Sequence, residues 1–160
     1  MLEGYLNDLI SQRLAALIVF GIVMVVLISG CQSAPSRSPG LRDGRLSGCP
    51  DSPNCVSTES IGEKHSIAPL TFTSSPGDAL NCLKRIIADM KRTKIVQADD
   101  YYMWAEFRTL LGFVDDVEFY IDDRSRTIRM RSASRFGYWD FGVNRRRLEE
   151  IRSRFDHECG

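Results

Sequence analysis

The chain has no excess charge of either sign: its 160 residues carry 21 Lys and Arg against 21 Asp and Glu. A protein that holds nucleic acid by bulk charge is basic, so no nucleic-acid partner is expected. Nor is this the composition of a disordered chain, since 43% of residues are hydrophobic, enough to fill a core. Histidine is scarce, His65 and His157 alone. Without a Cys-x-x-Cys pair to join them, no metal site is expected. There is no Gly-x-Gly-x-x-Gly, no Walker loop and no Gly-x-Ser-x-Gly elbow. Nucleotide-driven chemistry is therefore not expected, nor a cofactor, and a nucleophile built from Ser57 or Cys55 with His65 has little support. An apolar run of the about 20 residues needed to span a bilayer is missing too.

What is present is shorter. Leu14 to Ile28 reads LAALIVFGIVMVVLI, fifteen residues without a charge, which fits the apolar region of an export signal. Ile28-Ser29-Gly30-Cys31 follows at its end. An apolar residue, two small residues and a cysteine at that place resemble the lipobox of bacterial lipoproteins. The resemblance implies cleavage before Cys31, whose thiol takes a diacylglycerol that carries fatty-acyl chains such as palmitate. Gln32 in second place implies export to the outer membrane, with the protein lipid-anchored in the cell envelope and facing the periplasm. The alternative is an uncleaved N-terminal membrane anchor. In its favour, Arg13 faces Glu3 and Asp8 on the near side, while Arg37, Arg42 and Arg45 lie on the far side, against the positive-inside rule.

From Gln32 to Leu46 the chain is rich in Ser, Pro, Gly and Arg and has no periodicity, as a tether would be. The expected organisation is thus a removed signal peptide over 1–30, a flexible tether over 31–48 and one domain over 49–160. Cys49 and Cys55 bracket a turn-rich Pro-Asp-Ser-Pro-Asn. In an oxidising compartment that pair can close as a disulfide. Cys82 falls on the apolar face of an expected helix, as a buried thiol would. Cys159 stands one residue from the end, where fraying is expected. A Cys82–Cys159 bond is the weaker expectation.

The domain reads as α+β. Ser66 to Thr73 is a plausible first strand. Ser75-Pro76-Gly77-Asp78 is a helix start, with a serine cap, proline in first place and an acid in the first turn. Leu80, Leu83, Ile87 and Met90 then recur at helical spacing over about 76–91. Ile95 to Ala98 and Tyr101 to Thr109 read as strands. Val117, Phe119 and Ile121 alternate with polar residues, as do Ile128 and Met130. A turn at Asp123 to Arg126 sets Ile121 opposite Ile128, Phe119 opposite Met130, Tyr120 opposite Arg129 and Glu118 opposite Arg131. That register satisfies both faces, and a one-residue slip would drive charge into the core. A last helix starts near Asn144, read as its cap, with Val143 stapled to Leu148. The order β-α-β-β-β-β-α argues two layers, an antiparallel sheet with two helices on one face.

Three motifs stand in order: Cys49-Pro-Asp-Ser-Pro-Asn-Cys-Val-Ser57, Val114-Asp-Asp-Val-Glu-Phe119, and the run from Arg131 to Arg147. Together they resemble the domain-of-unknown-function 1499 family, known from bacterial lipoproteins, envelope proteins and plastid-lumen proteins. The resemblance spans about Cys49 to Arg154. It implies a fold, a compartment and candidate positions, and no reaction.

Two candidate sites follow from the residues. The first is an anion-binding corner of Ser132, Ser134, Arg135, Asp140, Asn144 and Arg147. There a glycine-containing loop runs into a helix start beside arginines able to grip a phosphate or carboxylate. Its structural alternative pairs Asp140 with Arg135 or Arg147. The second is a binding face of Tyr102, Trp104, Glu106, Glu118, Arg129 and Arg131 on the sheet surface away from the helices. Its alternative is a solvated face laced with cross-strand pairs. Asp115-Asp116 and Asp122-Asp123 sit at opposite ends of one strand, about 23 Å apart, so no carboxylate dyad joins them. The expected function is a non-catalytic binding or accessory domain, whose partner is another envelope protein or an anionic ligand. The alternative is an enzyme on an anionic envelope substrate, working through Ser132, Arg135 and Asp140. Charge is also uneven along the chain: Ile95 to Asp123 holds eight acids against Arg108 alone, and Arg124 to Arg154 holds ten arginines against three acids.

Overall fold

In the computed structural model, residues 12–14 and 38–159 are described. The chain divides into two compact units, Met1–Gln32 and Ser33–Gly160. In the first, residues 12–14 are helical. The signal-peptide cleavage site and Cys31 lie outside the described residues. Among the described residues no helix is long and apolar enough to cross a membrane.

The second unit is an antiparallel sheet with two helices. Its strands are β1 (Cys55–Ser57), β2 (Leu70–Thr71), β3 (Thr93–Ala98), β4 (Tyr102–Arg108), β5 (Val114–Asp122) and β6 (Thr127–Ser134). They are ordered β1-β6-β5-β4-β3, and β2 also pairs with β6. Helix α1 (Pro76–Asp89) precedes β3, and α2 (Val143–Glu158) closes the chain. The fold is α+β. The β5–β6 register is the expected one: Glu118↔Arg131, Phe119↔Met130, Tyr120↔Arg129 and Ile121↔Ile128.

Alternation on these strands sorts the two faces of the sheet. Met103, Ala105, Phe107, Val117, Phe119, Ile121, Ile128 and Met130 form one core with Leu80, Leu83, Ile86 and Ile87 of α1 and Leu148, Ile151 and Phe155 of α2. Helix α1 starts where the chain chemistry placed it. Ser75 accepts from the Asp78 amide at 3.1 Å, and its hydroxyl donates back to the Asp78 carboxylate at 2.7 Å.

Four expectations change. The first strand shrinks to Leu70–Thr71, because Pro69 has no amide to give a longer ladder. A short β1, to which the sequence reading assigned no element, pairs with β6 through Cys55↔Ala133 and Ser57↔Arg131. The folded part begins ahead of Cys49: the Gly40 amide donates to Glu118 Oε1 at 2.7 Å, and Leu46 and Ser47 are buried. The fourth is Asn144, which is not the cap of α2. Gly142 holds that position at φ +75°, and Asn144 lies inside the helix, fully buried. Asp140 does the capping instead, accepting from the Gly142 amide at 2.9 Å and the Asn144 amide at 2.8 Å.

Both cysteine pairs are disulfides. Cys49–Cys55 closes the loop ahead of β1, with Cα atoms 5.5 Å apart. Cys82–Cys159 joins α1 to the end of α2, with Cα atoms 6.1 Å apart. Cys82 is therefore not a thiol and Cys159 is not frayed: the two helices lie side by side over the sheet and bring sulfurs 77 residues apart in sequence into reach.

Candidate functional site

The residues of the expected anion corner fall on both faces of the sheet. On the helix side, β6 presents Ser132 and Ser134, β5 presents Asp115, and α2 presents Asn144 and Arg147 one turn apart. Asn144 is the hub. Its Oδ1 accepts from Ser132 Oγ at 2.5 Å and from Arg147 Nη1 at 2.9 Å. Its Nδ2 donates to the Asn54 carbonyl, Ser134 Oγ and Asp140 Oδ2 at 2.9, 3.0 and 2.8 Å. Arg147 also donates to Ser132 Oγ at 3.0 Å and to Asp115 Oδ2 at 2.6 Å, and it lies over the Phe107 ring at 4.8 Å. Asp140 pairs with neither Arg135 nor Arg147; its partners are amides and Asn144.

Arg135 follows Ser134 and so turns to the opposite face. There it grips Asp116 with two bonds, at 2.9 and 2.7 Å, and Glu106 with one at 2.7 Å. Hydrogen bonding to Asp116, joined by Glu106, outweighs desolvation and raises the Arg135 pKa. Trp104 donates to the same Asp116 carboxylate at 2.8 Å. Ser132, Arg135 and Asp140 thus do not converge on one point.

The structure brings together all six residues of the expected binding face, Tyr102, Trp104, Glu106, Glu118, Arg129 and Arg131, and then covers much of it. Glu118 and Arg131 are fully buried and bonded at 2.8 Å. Tyr102 donates to Glu118 Oε1 at 2.9 Å. Burial, then the charge of Glu118 and its bond, push the Tyr102 phenol well above its ordinary range, so it stays a donor. Arg129 reaches Glu59 at 3.2 Å and Asp122 at 2.8 Å. The cross-strand pairs expected of a solvated face are present, and the centre of the face is buried. The segment 40–60 supplies cover through Gly40 on Glu118 and Glu59 on Arg129, and Leu46 and Ser47 within it are buried. Sequence reading had counted the first part of it as tether. Arg131 Nε and Nη2 and Ser47 Oγ are buried there without a partner among the described residues.

The weak nucleophile arrangement dissolves. The Ser57 hydroxyl donates to the Ser47 carbonyl at 3.2 Å, the His65 ring bonds the Cys55 carbonyl at 3.0 Å, and Cys55 is in a disulfide.

A model of the family described as "Protein of unknown function (DUF1499)" matches residues 45–155. The chain belongs to this family. Comparison with curated proteins and with solved structures finds no match. The three motifs that carried the DUF1499 resemblance are the ones locked together here: Asn54 from the first, Asp115, Asp116 and Glu118 from the second, and Arg131 to Arg147 from the third.

Sequence reading missed the surface beside this lock. Two loops of the DUF1499 domain meet at one end of the sheet. One is the β4–β5 turn, closed by Thr109 N–H to the Phe113 carbonyl at 2.8 Å; the other runs from Arg135 to Gly142. The Arg135 amide donates to the Val114 carbonyl at 3.1 Å and joins them. Between them they expose Leu110 (85%), Leu111 (84%), Phe113 (53%), Phe136 (75%), Trp139 (64%) and Phe141 (86%). Single exposed apolar residues are ordinary, but clusters of this kind mark interaction surfaces. The signal was available in Leu110-Leu111-Gly112-Phe113 and Phe136-Gly137-Tyr138-Trp139-Asp140-Phe141, two turn-like segments dense in large apolar residues.

Proposed function

We propose that this chain is a lipid-anchored envelope protein of the DUF1499 family whose domain works by binding rather than by chemistry. One contrast carries the reading. Asn54, Asp115, Glu118, Arg131, Ser132, Asn144 and Arg147 of the family motifs are buried and bonded to one another, while the apolar side chains on the adjoining loops are held out into solvent. A catalytic group must have a free valence toward a substrate, and Ser132, Asn144 and Arg147 direct theirs inward. The bonds that saturate the motifs also fix the loops. Asn54 Nδ2 donates to the Gly137 carbonyl at 2.5 Å, Arg146 donates to the Phe141 carbonyl at 2.8 Å, and Asp140 caps α2. Phe141 is held at φ +52°, where side chains other than glycine rarely rest. Such a loop is pre-organised for contact, which lowers the entropy lost on binding.

Two features support export and anchoring: the lipobox-like Ile28-Ser29-Gly30-Cys31 behind its apolar run, and two disulfides, which persist in oxidising compartments. The test is mass spectrometry of the chain purified from bacterial membranes. The expected mature protein starts at Cys31 and carries acyl mass on that residue. An intact, unmodified chain beginning at Met1 would overturn the anchor. Capture of partners by the anchored protein, with Cys31→Ser as control, then asks whether binding depends on location.

A further inference from the structure

The two apolar loops are not isolated on the surface. Beside them a groove of about 920 Å³ is lined by Leu110, Leu111, Lys91, Arg92, Arg108 and Arg146, among others. Lys91, Arg92 and Arg146 form no ion pair among the described residues, and Arg108 reaches only Glu106, at 3.5 Å. Of the acids nearby, Asp89 and Glu150 are engaged by Arg154 and Glu106 by Arg135, and Asp140 is bonded by the Gly142 and Asn144 amides and the Asn144 side chain, which leaves the cations in excess. The end of the domain therefore presents large apolar and aromatic tips with unmatched positive charge behind them.

From this we infer that the loops at 110–113 and 136–141 seat the domain on an anionic bilayer surface. Phe136, Trp139, Phe141, Leu110 and Leu111 would enter the headgroup region while Lys91, Arg92 and Arg146 meet lipid phosphates. Trp and Tyr favour that depth because one end of the ring is apolar and the other polar. Cations beside a shallow apolar wedge add attraction to anionic lipid. The groove mixes Met90, Phe107, Leu110, Leu111 and Val143 with the cations, while Phe113, Phe136, Trp139 and Phe141 stand exposed outside its lining, where a peptide held in the groove would leave them in water. The inference draws further support from the proposed anchor. Gly40, the first of the described residues 38–159 whose bond into the sheet is seen, lies nine positions after Cys31, so an acylated Cys31 keeps it within about 30 Å of the bilayer. Gly40 bonds Glu118, four residues along β5 from Val114 at the loop end, or about 13 Å. A domain so tethered can bring that end onto the membrane.

The chain has two tryptophans, Trp104 and Trp139, and this sets the test. The full chain carrying Trp104→Phe, with Trp139 as its sole indole, is reconstituted into vesicles with brominated acyl chains. One set contains phosphatidylglycerol and phosphatidylcholine, the other phosphatidylcholine alone. A cleaved chain is held on the vesicle by the acyl chains of Cys31 and an uncleaved one by its apolar leader, so failure of the anchor reading leaves this readout intact. Trp139 is expected to lose about half its emission in the anionic set and much less in the neutral one. Lys91→Glu with Arg92→Glu should return the anionic result to the neutral level. Trp139→Phe on the native background, where the half-buried Trp104 is held on the sheet by its bond to Asp116, should abolish most of the quenching and serves as a check on the folded chain. Undiminished Trp139 emission in both sets, from chain that floats with the vesicles, would overturn the inference and assign the loops to a protein partner.

Discussion

Arg147 and Asp115 stand 2.6 Å apart with both side chains almost out of water. Between them and Asn144, a guanidinium, a carboxylate, an amide and two serine hydroxyls satisfy one another where α2 meets the sheet. A pair in that position is strong only while complete. Removing the cation alone leaves a buried carboxylate that neither water nor another cation reaches, a loss of about 3–5 kcal/mol. Arg147→Met should therefore lower unfolding free energy by that amount in a denaturant titration. The double variant Asp115→Asn with Arg147→Met should recover part of the loss, because it removes the stranded charge. A loss under about 1 kcal/mol, the value of an exposed pair, would show that the network does not hold the corner. The effect should extend to the loops, since Asn144 also bonds the Asn54 carbonyl and Asp140.

The hairpin of β5 and β6 is the element that sequence reading resolved best. Its alternation is strict on both strands, and its turn is short, so only one register keeps Phe119 and Met130 inward and Glu118 opposite Arg131. Asp122 pins that turn. Its Oδ1 accepts from the Arg124 and Ser125 amides at 3.2 and 3.3 Å, and its Oδ2 accepts from Arg129 at 2.8 Å. Burial works against ionisation of Asp122, but the bonds from Ser125 and the charge of Arg129 together outweigh it and hold its pKa below the ordinary aspartate range. A carboxylate lowered on folding stabilises the native state above its unfolded value and loses that contribution as pH falls through the folded one. Denaturant midpoints should therefore separate wild type from Asp122→Asn at pH 7 and converge as pH falls below about 4. A gap that stays constant with pH would remove Asp122 from the account of acid stability. The corner was less legible than the hairpin. Six residues near in sequence suggested one site, but alternation sends Arg135 to the face opposite Ser132 and Ser134, and only the strand register shows which acid each arginine meets. Asn144 passes for a cap by residue type, and the acid four positions earlier takes the amide instead. The β1 segment was illegible for another reason, since a strand of three residues has no period to read, and β2 was read only as part of a longer strand over 66–73.

Across the molecule, the zero net charge becomes a pattern of internal pairs. The acidic stretch is mostly β5 and its flanks, and the basic stretch is β6 and α2. They meet as Asp115 with Arg147, Asp116 with Arg135, Glu118 with Arg131, and Asp122 with Arg129. Opposite charges far apart in sequence thus specify which elements lie together, and the unmatched cations are left at the loop end. The disulfides bound the same assembly from two sides. Cys49–Cys55 closes a loop with a separation of 6 residues, and Cys82–Cys159 one with a separation of 77. By the loss of unfolded-chain entropy, the longer closure should stabilise by about 4 kcal/mol and the shorter by about 2 kcal/mol. The longer bond also fixes the last residues of α2 against α1 over the core. Cys82→Ser with Cys159→Ser should then lower the unfolding midpoint more than Cys49→Ser with Cys55→Ser, measured in oxidising buffer. Under reductant each variant should move toward the reduced wild type. Equal losses from the two pairs, or a larger one from the short loop, would show that strain or local packing at Cys49–Cys55 outweighs chain entropy. The short bond would then matter chiefly for fixing Asn54, and through Asn54 the carbonyl of Gly137 in the exposed aromatic loop.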